Sequence, residues 1–219
     1  MLQIGICDDE RSMRAEIYSM CEVFLEKQYS HRYVEFSSGE EVLGYVANEQ
    51  NESIDLLFLD IEMAGISGIE LKDAVMQQNK IWRIVFVTNH DESVYQAFGR
   101  KTIGFIPKPP QIDDVSKMLS IVMDELKENI EFTRKYVEEK LPGVKMTDHE
   151  GTYLVWLDFR ETGLSVEELE HRIIYKAGLW LDSGTIFGDL GRGFQRVNVA
   201  CPRATLTEAL ERIRRAFID

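Results

Sequence analysis

Four short apolar runs in the first half of the chain each lead to a side chain capable of chemistry. Leu2–Cys7 runs into Asp8-Asp9, Asp55–Leu59 closes on Asp60, Trp82–Val87 ends at Thr88, and Thr102–Ile106 passes through Pro107 to Lys108. Between them lie stretches with helical spacing. Met13, Ile17, Met20, Cys21 and Phe24 mark the first, followed by Gly39–Ala47, Ile69–Gln78 and a short Ser93–Phe98. Tyr33–Phe36 adds another strand, with Ser37-Ser38 as the cap of the helix behind it. Continuous apolar strands alternating with helices predict an α/β fold, a doubly wound five-stranded parallel sheet covered on both faces. In such sheets ligands sit beyond the carboxyl ends of the strands, near the point where strand order reverses. The polar residues stand at those ends.

From Gln111 to Leu141 neither glycine nor proline interrupts a helical pattern. Ile112, Val115, Leu119, Val122, Leu126, Ile130, Thr133, Val137 and Leu141 advance in steps of three and four. The pattern fits one helix of roughly 46 Å, or two helices that abut, and Pro142-Gly143 ends it. Beyond this point the alternation changes. Thr152–Phe159 and Phe194–Ala200 read as strands, and Thr205–Phe217 as a last helix. Ser165–Ala177 reads as an amphipathic helix capped by Ser165, with Glu168 in the box position. Ser183–Gly193 contains four glycines and reads as a loop. The expected organisation is a first domain over residues 1–122 and a small α+β domain over 123–219, joined through a helix at about 111–141.

Charge narrows the function classes. The 219 residues hold 38 acidic and 25 basic side chains, a formal net charge of −13. Residues 1–122 carry 20 acids against 11 bases, and residues 123–219 carry 18 against 14. Neither part is basic, so nucleic-acid binding through displaced counterions is not expected. Arg212, Arg214 and Arg215 on the last helix alternate with Glu208 and Glu211 and read as a solvated face. Cys7, Cys21 and Cys201 form no CxxC pair and no metal spacing, which points to a reducing, cytoplasmic setting. Met1 runs directly into a strand without a leader, and no apolar stretch of about 18 residues occurs. No membrane partner is expected.

Two adjacent acids after one strand, a third after another, a hydroxyl and a lysine form a coherent chemical set. Converging carboxylates repel unless a divalent cation lies among them, and an all-oxygen set of this size suits Mg²⁺. A carboxylate so placed can attack a phosphoryl group and form an acyl phosphate, while a lysine and a hydroxyl hold the phosphoryl oxygens. Taken singly, each residue has a plainer reading. Asp8-Asp9 serves equally as a helix N-cap, Asp60 as a loop acid, and Lys108 as a solvated surface group.

The segments IGICDDE, LLFLDIEMAGISGIEL, IVFVTNH and GFIPKPP together resemble the receiver domain of bacterial response regulators, over Leu2 to about Val122. The closest likeness is to receivers that precede a LytTR-type DNA-binding domain. The resemblance implies a flavodoxin-like fold and a role in two-component signalling. Asp60 would accept a phosphoryl group from the phosphohistidine of a sensor histidine kinase. Asp9 and Asp60 would bind Mg²⁺ directly, Asp8 through water, and the carbonyl of Glu62 would complete the protein ligands. Thr88 and Lys108 would hold the phosphoryl group, with a cis bond between Lys108 and Pro109. Phe105 matches the family's aromatic switch, and reads equally as a core aromatic. Asn89 departs from the smaller residue usual after the threonine. With Glu62 and His90 it bears on how readily water attacks the acyl phosphate.

From about Leu126 the chain no longer resembles a response-regulator output domain. KENIEFTRKYVEEKLPGVKM, EGTYLVWLDFRETGLS, WLDSGTIFG and GFQRVNVACPR resemble the C-terminal small domain of fold-type I pyridoxal-phosphate enzymes, in the cystathionine β-lyase and aminotransferase branch. In that family the arginine of the last motif, here Arg196, binds the substrate α-carboxylate, a task its forked donors suit. The residue-level alternative is a strand arginine paired with a surface acid. The family's large domain supplies the Schiff-base lysine, and the receiver-like half stands in its place. Pyridoxal phosphate is therefore not expected as a cofactor, nor the chain as an enzyme, and Arg196 reads as a vestigial carboxylate site. The two likenesses meet inside one helical pattern near Met123–Leu126, as in a fusion.

The main expectation is thus a response regulator with an unusual, non-catalytic output module. A fragment or fusion of a pyridoxal-phosphate enzyme is one alternative, and a transcription regulator is another. Without a large domain to cover it, one face of the second module should be apolar and exposed, which makes a homodimer one expected outcome.

Overall fold

The computed structural model describes residues 2–25, 30–78, 80–89, 97, 99–149 and 153–218. The chain divides into two compact units, Met1–Asp124 and Glu125–Asp219. The first is built on strands β1 (Leu2–Cys7), β2 (His31–Phe36), β3 (Ile54–Leu59), β4 (Ile81–Thr88) and β5 (Thr102–Pro107). They run parallel in the order β2-β1-β3-β4-β5, the doubly wound sheet expected from the apolar runs. Every residue of β1 and β3 is buried, which is why these strands are apolar without alternation. Helices α1 (Arg11–Leu25), α2 (Gly39–Ala47) and α3 (Gly68–Val75) cross between them. Strand order reverses at β1, which lies between β2 and β3. A crevice at the ends of β1 and β3 follows from that topology.

Local sequence accounts for the helix starts. Ser38 caps α2 by accepting from the Glu41 amide. Ser67 and Glu70 form a reciprocal capping box that starts α3 one residue earlier than its periodicity indicates. Gly68 is needed there, because a Cβ would stand 2.1 Å from the Asp60 carbonyl oxygen. The close approach packs α3 directly behind the loop that carries Asp60. The same helix stops at Val75, short of the expected Gln78. The Lys101 ammonium takes the carbonyl of Val75 at 2.8 Å and that of Gln78 as well, which satisfies carbonyls at the end of the helix. β2 begins two residues before Tyr33, and its half-exposed edge position blurs the apolar pattern. The expected helix Ser93–Phe98 lies, apart from Ala97, outside the described residues.

Ile112–Lys140 is one helix, α4, and the division between the units falls inside it. Of the two readings of that segment, the continuous helix is the one found. No helix among the described residues is long and apolar enough to cross a membrane.

The second unit carries a four-stranded antiparallel sheet, β6 (Lys145–Met146), β7 (Leu154–Asp158), β8 (Asp182–Ser183) and β9 (Phe194–Asn198), in the order β6-β7-β9-β8. Helix α5 (Val166–His171) is capped by Ser165 and continues as a π turn through Lys176. Helix α6 (Arg203–Ile218) closes the unit. Buried Asn129 on α4 ties the layers together. It donates to the carbonyls of Val199 (2.8 Å) and Cys201 (2.9 Å) and accepts from Arg203 Nε at 2.7 Å. Ser183–Gly193 is more ordered than the loop expected. It holds the end of β8 and two 3₁₀ turns, Gly184–Phe187 and Asp189–Gly191. Gly184 and Gly191 approach so closely that a Cβ on either would stand 2.0 Å from the other's carbonyl oxygen. Tyr175, Trp180, Ile186, Phe187 and Leu190 are exposed.

Candidate functional site

The ends of β1, β3, β4 and β5 bring the polar residues together. Asp8 is buried immediately after β1, and its Oδ1 accepts from the Glu10 amide at 2.9 Å. Asp9 beside it is exposed. Asp60 is buried after β3, and its amide donates to the Cys7 carbonyl at 2.9 Å, joining the two strand ends. The Lys108 amide donates to the Thr88 carbonyl at 3.1 Å and joins the ends of β4 and β5 in the same way. The Lys108–Pro109 bond is cis, as the resemblance implied.

Lys108 reaches back to both buried acids. Its Nζ donates to Asp60 Oδ2 at 2.6 Å and lies 2.8 Å from Asp8 Oδ2. The buried Asp8 Oδ2 is thus held as an ion-pair partner of the same ammonium. Asp60 Oδ1 accepts from the Glu62 amide at 3.3 Å. Burial raises the Asp60 carboxyl above its ordinary range, although the Lys108 ammonium pulls the other way. For Lys108, burial works against the charge, yet Asp60 and Asp8 outweigh it and hold the ammonium above its usual value. Lys108 is therefore a fixed cation.

Asp8, Asp9 and Asp60 each present a carboxylate oxygen, and these oxygens lie within 4.8 Å of one another. Three carboxylates against one lysine leave a local excess of negative charge. The all-oxygen donor set and that excess fit a hard divalent cation such as Mg²⁺. An open cavity of about 210 Å³ lies over the cluster, lined by Asp9, Glu10, Asp60, Glu62, Thr88, Asn89 and Lys108. It is large enough for a phosphoryl group and open enough for a donor to approach.

Of the residues singled out from sequence, Asp8, Asp9, Asp60, Glu62, Thr88, Asn89 and Lys108 converge here. Phe105 lies on β5, partly buried and stacked on Phe86 with ring centroids 5.6 Å apart. Arg196 belongs to the second unit, on β9. Its Nε and Nη2 both donate to Asp182 Oδ2 (3.0 and 2.7 Å), and its guanidinium lies over the Phe187 ring at 4.5 Å. The acid that Arg196 holds is thus one of the chain's own, the partner β8 places opposite it in register. Sequence reading did not assign Glu10 to the cavity, nor Ser67 and Glu70 to the start of α3. The capping pair was legible in Ser67-Gly68-Ile69-Glu70, whereas Glu10 carries no signal beyond its adjacency to Asp9. His90 lies outside the described residues.

Residues 4–120 match the family model described as the response regulator receiver domain. Over 93 residues the chain is 36% identical to an uncharacterized response regulatory protein of Shewanella oneidensis, covering 39% of each. Across the C-terminal region it is similar to enzymes of another kind. It is 40% identical over 99 residues to cystathionine beta-lyase PatB of Bacillus subtilis, covering 43% of this chain and 26% of that protein. The chain spans between about a quarter and two fifths of the length of the first of these curated relatives. Among solved structures, the response regulatory domain of protein mrkE from Klebsiella pneumoniae is 23% identical with a TM-score of 0.48, covering 56% of this chain and 96% of that one.

Proposed function

Because the chain belongs, through residues 4–120, to the response regulator receiver domain family, we propose that it is a response regulator whose Asp60 accepts a phosphoryl group from the phosphohistidine of a sensor kinase. The observation that carries this reading is the convergence of Asp8, Asp9 and Asp60 on Lys108 beneath an open cavity. An Asp60 oxygen attacks phosphorus, the bond from phosphorus to the imidazole nitrogen breaks, and an acyl phosphate forms. Lys108 and the Thr88 hydroxyl donate to the phosphoryl oxygens as charge builds on them. Asp9 and Asp60 would hold Mg²⁺ directly, Asp8 through water, with the Glu62 carbonyl as a further ligand. When bound, the ion would supply positive charge that offsets the carboxylates and the charge building on the phosphoryl group. Phe105, stacked on Phe86 beside the strand that bears Thr88, is the proposed switch that follows the state of the site. Cys7, Cys21 and Cys201 form no disulfide, in keeping with a cytoplasmic setting.

In this reading residues 1–122 form the phosphoacceptor domain. Residues 123–219 are an output module derived from an aminotransferase-like small domain and used without catalysis. Arg196, already paired with Asp182, is the remnant of a carboxylate site. The likeness of the C-terminal region to cystathionine beta-lyases favours a second reading, a fragment or fusion of a pyridoxal-phosphate enzyme.

One pair of variants separates the two. With kinase or a small phosphodonor and Mg²⁺, Asp60→Ala is expected to abolish acid-stable, base-labile phosphoryl labelling, while Arg196→Ala labels as the parent does. Label retained in Asp60→Ala would sink the first reading. A cofactor absorbance band on adding pyridoxal phosphate to the full chain, shifted by an added amino acid in the parent but not in Arg196→Ala, would carry the second.

A further inference from the structure

Asp8 and Asp9 pose a physical problem that their own side chains do not solve. Two adjacent carboxylates aimed toward a third repel, and a short loop relaxes such repulsion by rotating its peptide units until the acids face water. Something must hold the backbone of Asp8–Glu10 against that rotation. Lys108 acts from the cavity side on the carboxylate of Asp8. On the opposite side stands Arg14, in the first turn of α1.

The Arg14 side chain is only 13% exposed. Its Nη1 donates to the Asp8 carbonyl oxygen at 2.7 Å and to that of Asp9 at 3.5 Å. Its Nε donates to Glu35 Oε2, on β2, at 3.1 Å. The third carbonyl of the loop, that of Glu10, accepts from the amides of Met13 and Arg14 at 3.1 and 3.2 Å. All three carbonyls of the acidic loop are therefore claimed from α1. With the peptide oxygens fixed on one side, the Asp8 carboxylate is directed toward Lys108. Arg14 is not among the residues that line the cavity. It touches the loop's backbone and not the place where a ligand sits. Glu35 fixes the guanidinium, so β2 holds α1's arginine, and the arginine holds the loop after β1.

We propose that Arg14 is a positioning residue for the cation and phosphoryl site, acting through the carbonyls of Asp8 and Asp9, with Glu35 as its anchor. This rests on the reading of Asp8, Asp9 and Asp60 as a Mg²⁺ site. Residues that orient metal ligands from behind commonly change affinity by about 10- to 100-fold when removed, and a forked guanidinium is not matched by a lysine.

The test is calorimetric titration of the full chain with Mg²⁺ alone, alongside thermal unfolding. Arg14→Gln is expected to weaken Mg²⁺ binding by about tenfold or more while the chain remains folded. Arg14→Lys, which keeps the charge but not the fork, should recover part of that loss. Glu35→Gln should weaken binding to a smaller degree, and the double variant Arg14→Gln/Glu35→Gln should bind no more weakly than Arg14→Gln alone, since the two act in series. Parent-like affinity in a folded Arg14→Gln chain, or additive losses in the double variant, would overturn the proposal. Should Arg14→Gln fail to fold, Glu35→Gln decides, and unchanged affinity there overturns it. A parent chain that neither binds Mg²⁺ nor takes label would instead remove the functional reading, and the inference with it.

Discussion

The two units differ in one arrangement of their charged residues. In Glu125–Asp219 the acids and bases cancel locally. Arg160 sits on Asp158, Arg172 on Glu168, Arg214 on Glu211 and Arg196 on Asp182, each pair formed within one helix, one loop or two neighbouring strands. In Met1–Asp124 three carboxylates are brought to one lysine, two of them buried. Burying charges that lack full compensation costs stability, so that cluster persists against the preference of the bare fold. The contrast distinguishes a place built to receive something from a surface that merely satisfies itself. It also explains why Arg196, the most specific residue of the second unit, is a weaker functional signal than Lys108. Its Nε and Nη2 already donate to Asp182.

Breaking the first arrangement should have the largest effect. Lys108→Ala removes the donor aimed at both Asp60 and Asp8. The rate of phosphoryl labelling should fall by about 10²- to 10³-fold, the usual consequence of losing one charge-stabilising donor. Labelling at the parent rate, followed by rapid quench, would show that the lysine serves the fold alone.

Acidity sharpens the comparison next. At the opposite end of β3 from Asp60, buried Asp55 accepts from the Gln3 amide at 2.7 Å, and burial pushes its carboxyl up to about 7. The folded state then holds that proton more tightly than the unfolded chain, whose aspartates titrate near 4. Asp55 therefore favours folding most at low pH. Its contribution declines as pH rises from about 4 to 7 and is level above, by on the order of a few kcal/mol. Asp158 in the second unit behaves in the opposite sense. The hydrogen bonds from Arg160 hold it below its ordinary range, so its contribution is full above about pH 4 and lost on acidification. Denaturant titrations from pH 4 to 8 should show Asp55→Asn flattening the decline. Parallel curves for parent and variant would exclude Asp55 as its source.

The smallest effect should come from Asp182→Ala. Arg196 and Asp182 are about a quarter and just under a half exposed, and a pair so solvated contributes less than about 1 kcal/mol. Denaturant midpoints read from tryptophan fluorescence should barely move. A large loss would mean that the second unit depends on this pair and that its charges do not simply cancel.

Much of the first unit was readable residue by residue. Continuous apolar runs marked its strands, and polar residues at their ends marked the site. Cap chemistry at Ser38 and Ser165 was equally local. The second unit was harder, because two of its four strands are two residues long and its 3₁₀ turns span a single turn. Elements that short have no period to detect. Arg14 was invisible for a different reason, since its partners are backbone carbonyls and no residue type announces them.

Hydrophobic periodicity along the chain was enough to establish the sheet, its parallel sense and the identity of the acids, the threonine and the lysine at its strand ends. These follow from nearest-neighbour patterns, which any window of a dozen residues contains. That Asp8 and Asp60 meet was decided by packing, which set β1 beside β3 and joined their ends through the Asp60 amide and the Cys7 carbonyl. The pairing of Arg196 with an acid fourteen residues earlier, and of Arg14 with the carbonyls behind Asp8 and Asp9, was decided in the same way. Contacts of this kind depend on how whole layers stack to exclude water, and no local stretch of sequence encodes which distant groups that stacking will bring within 3 Å.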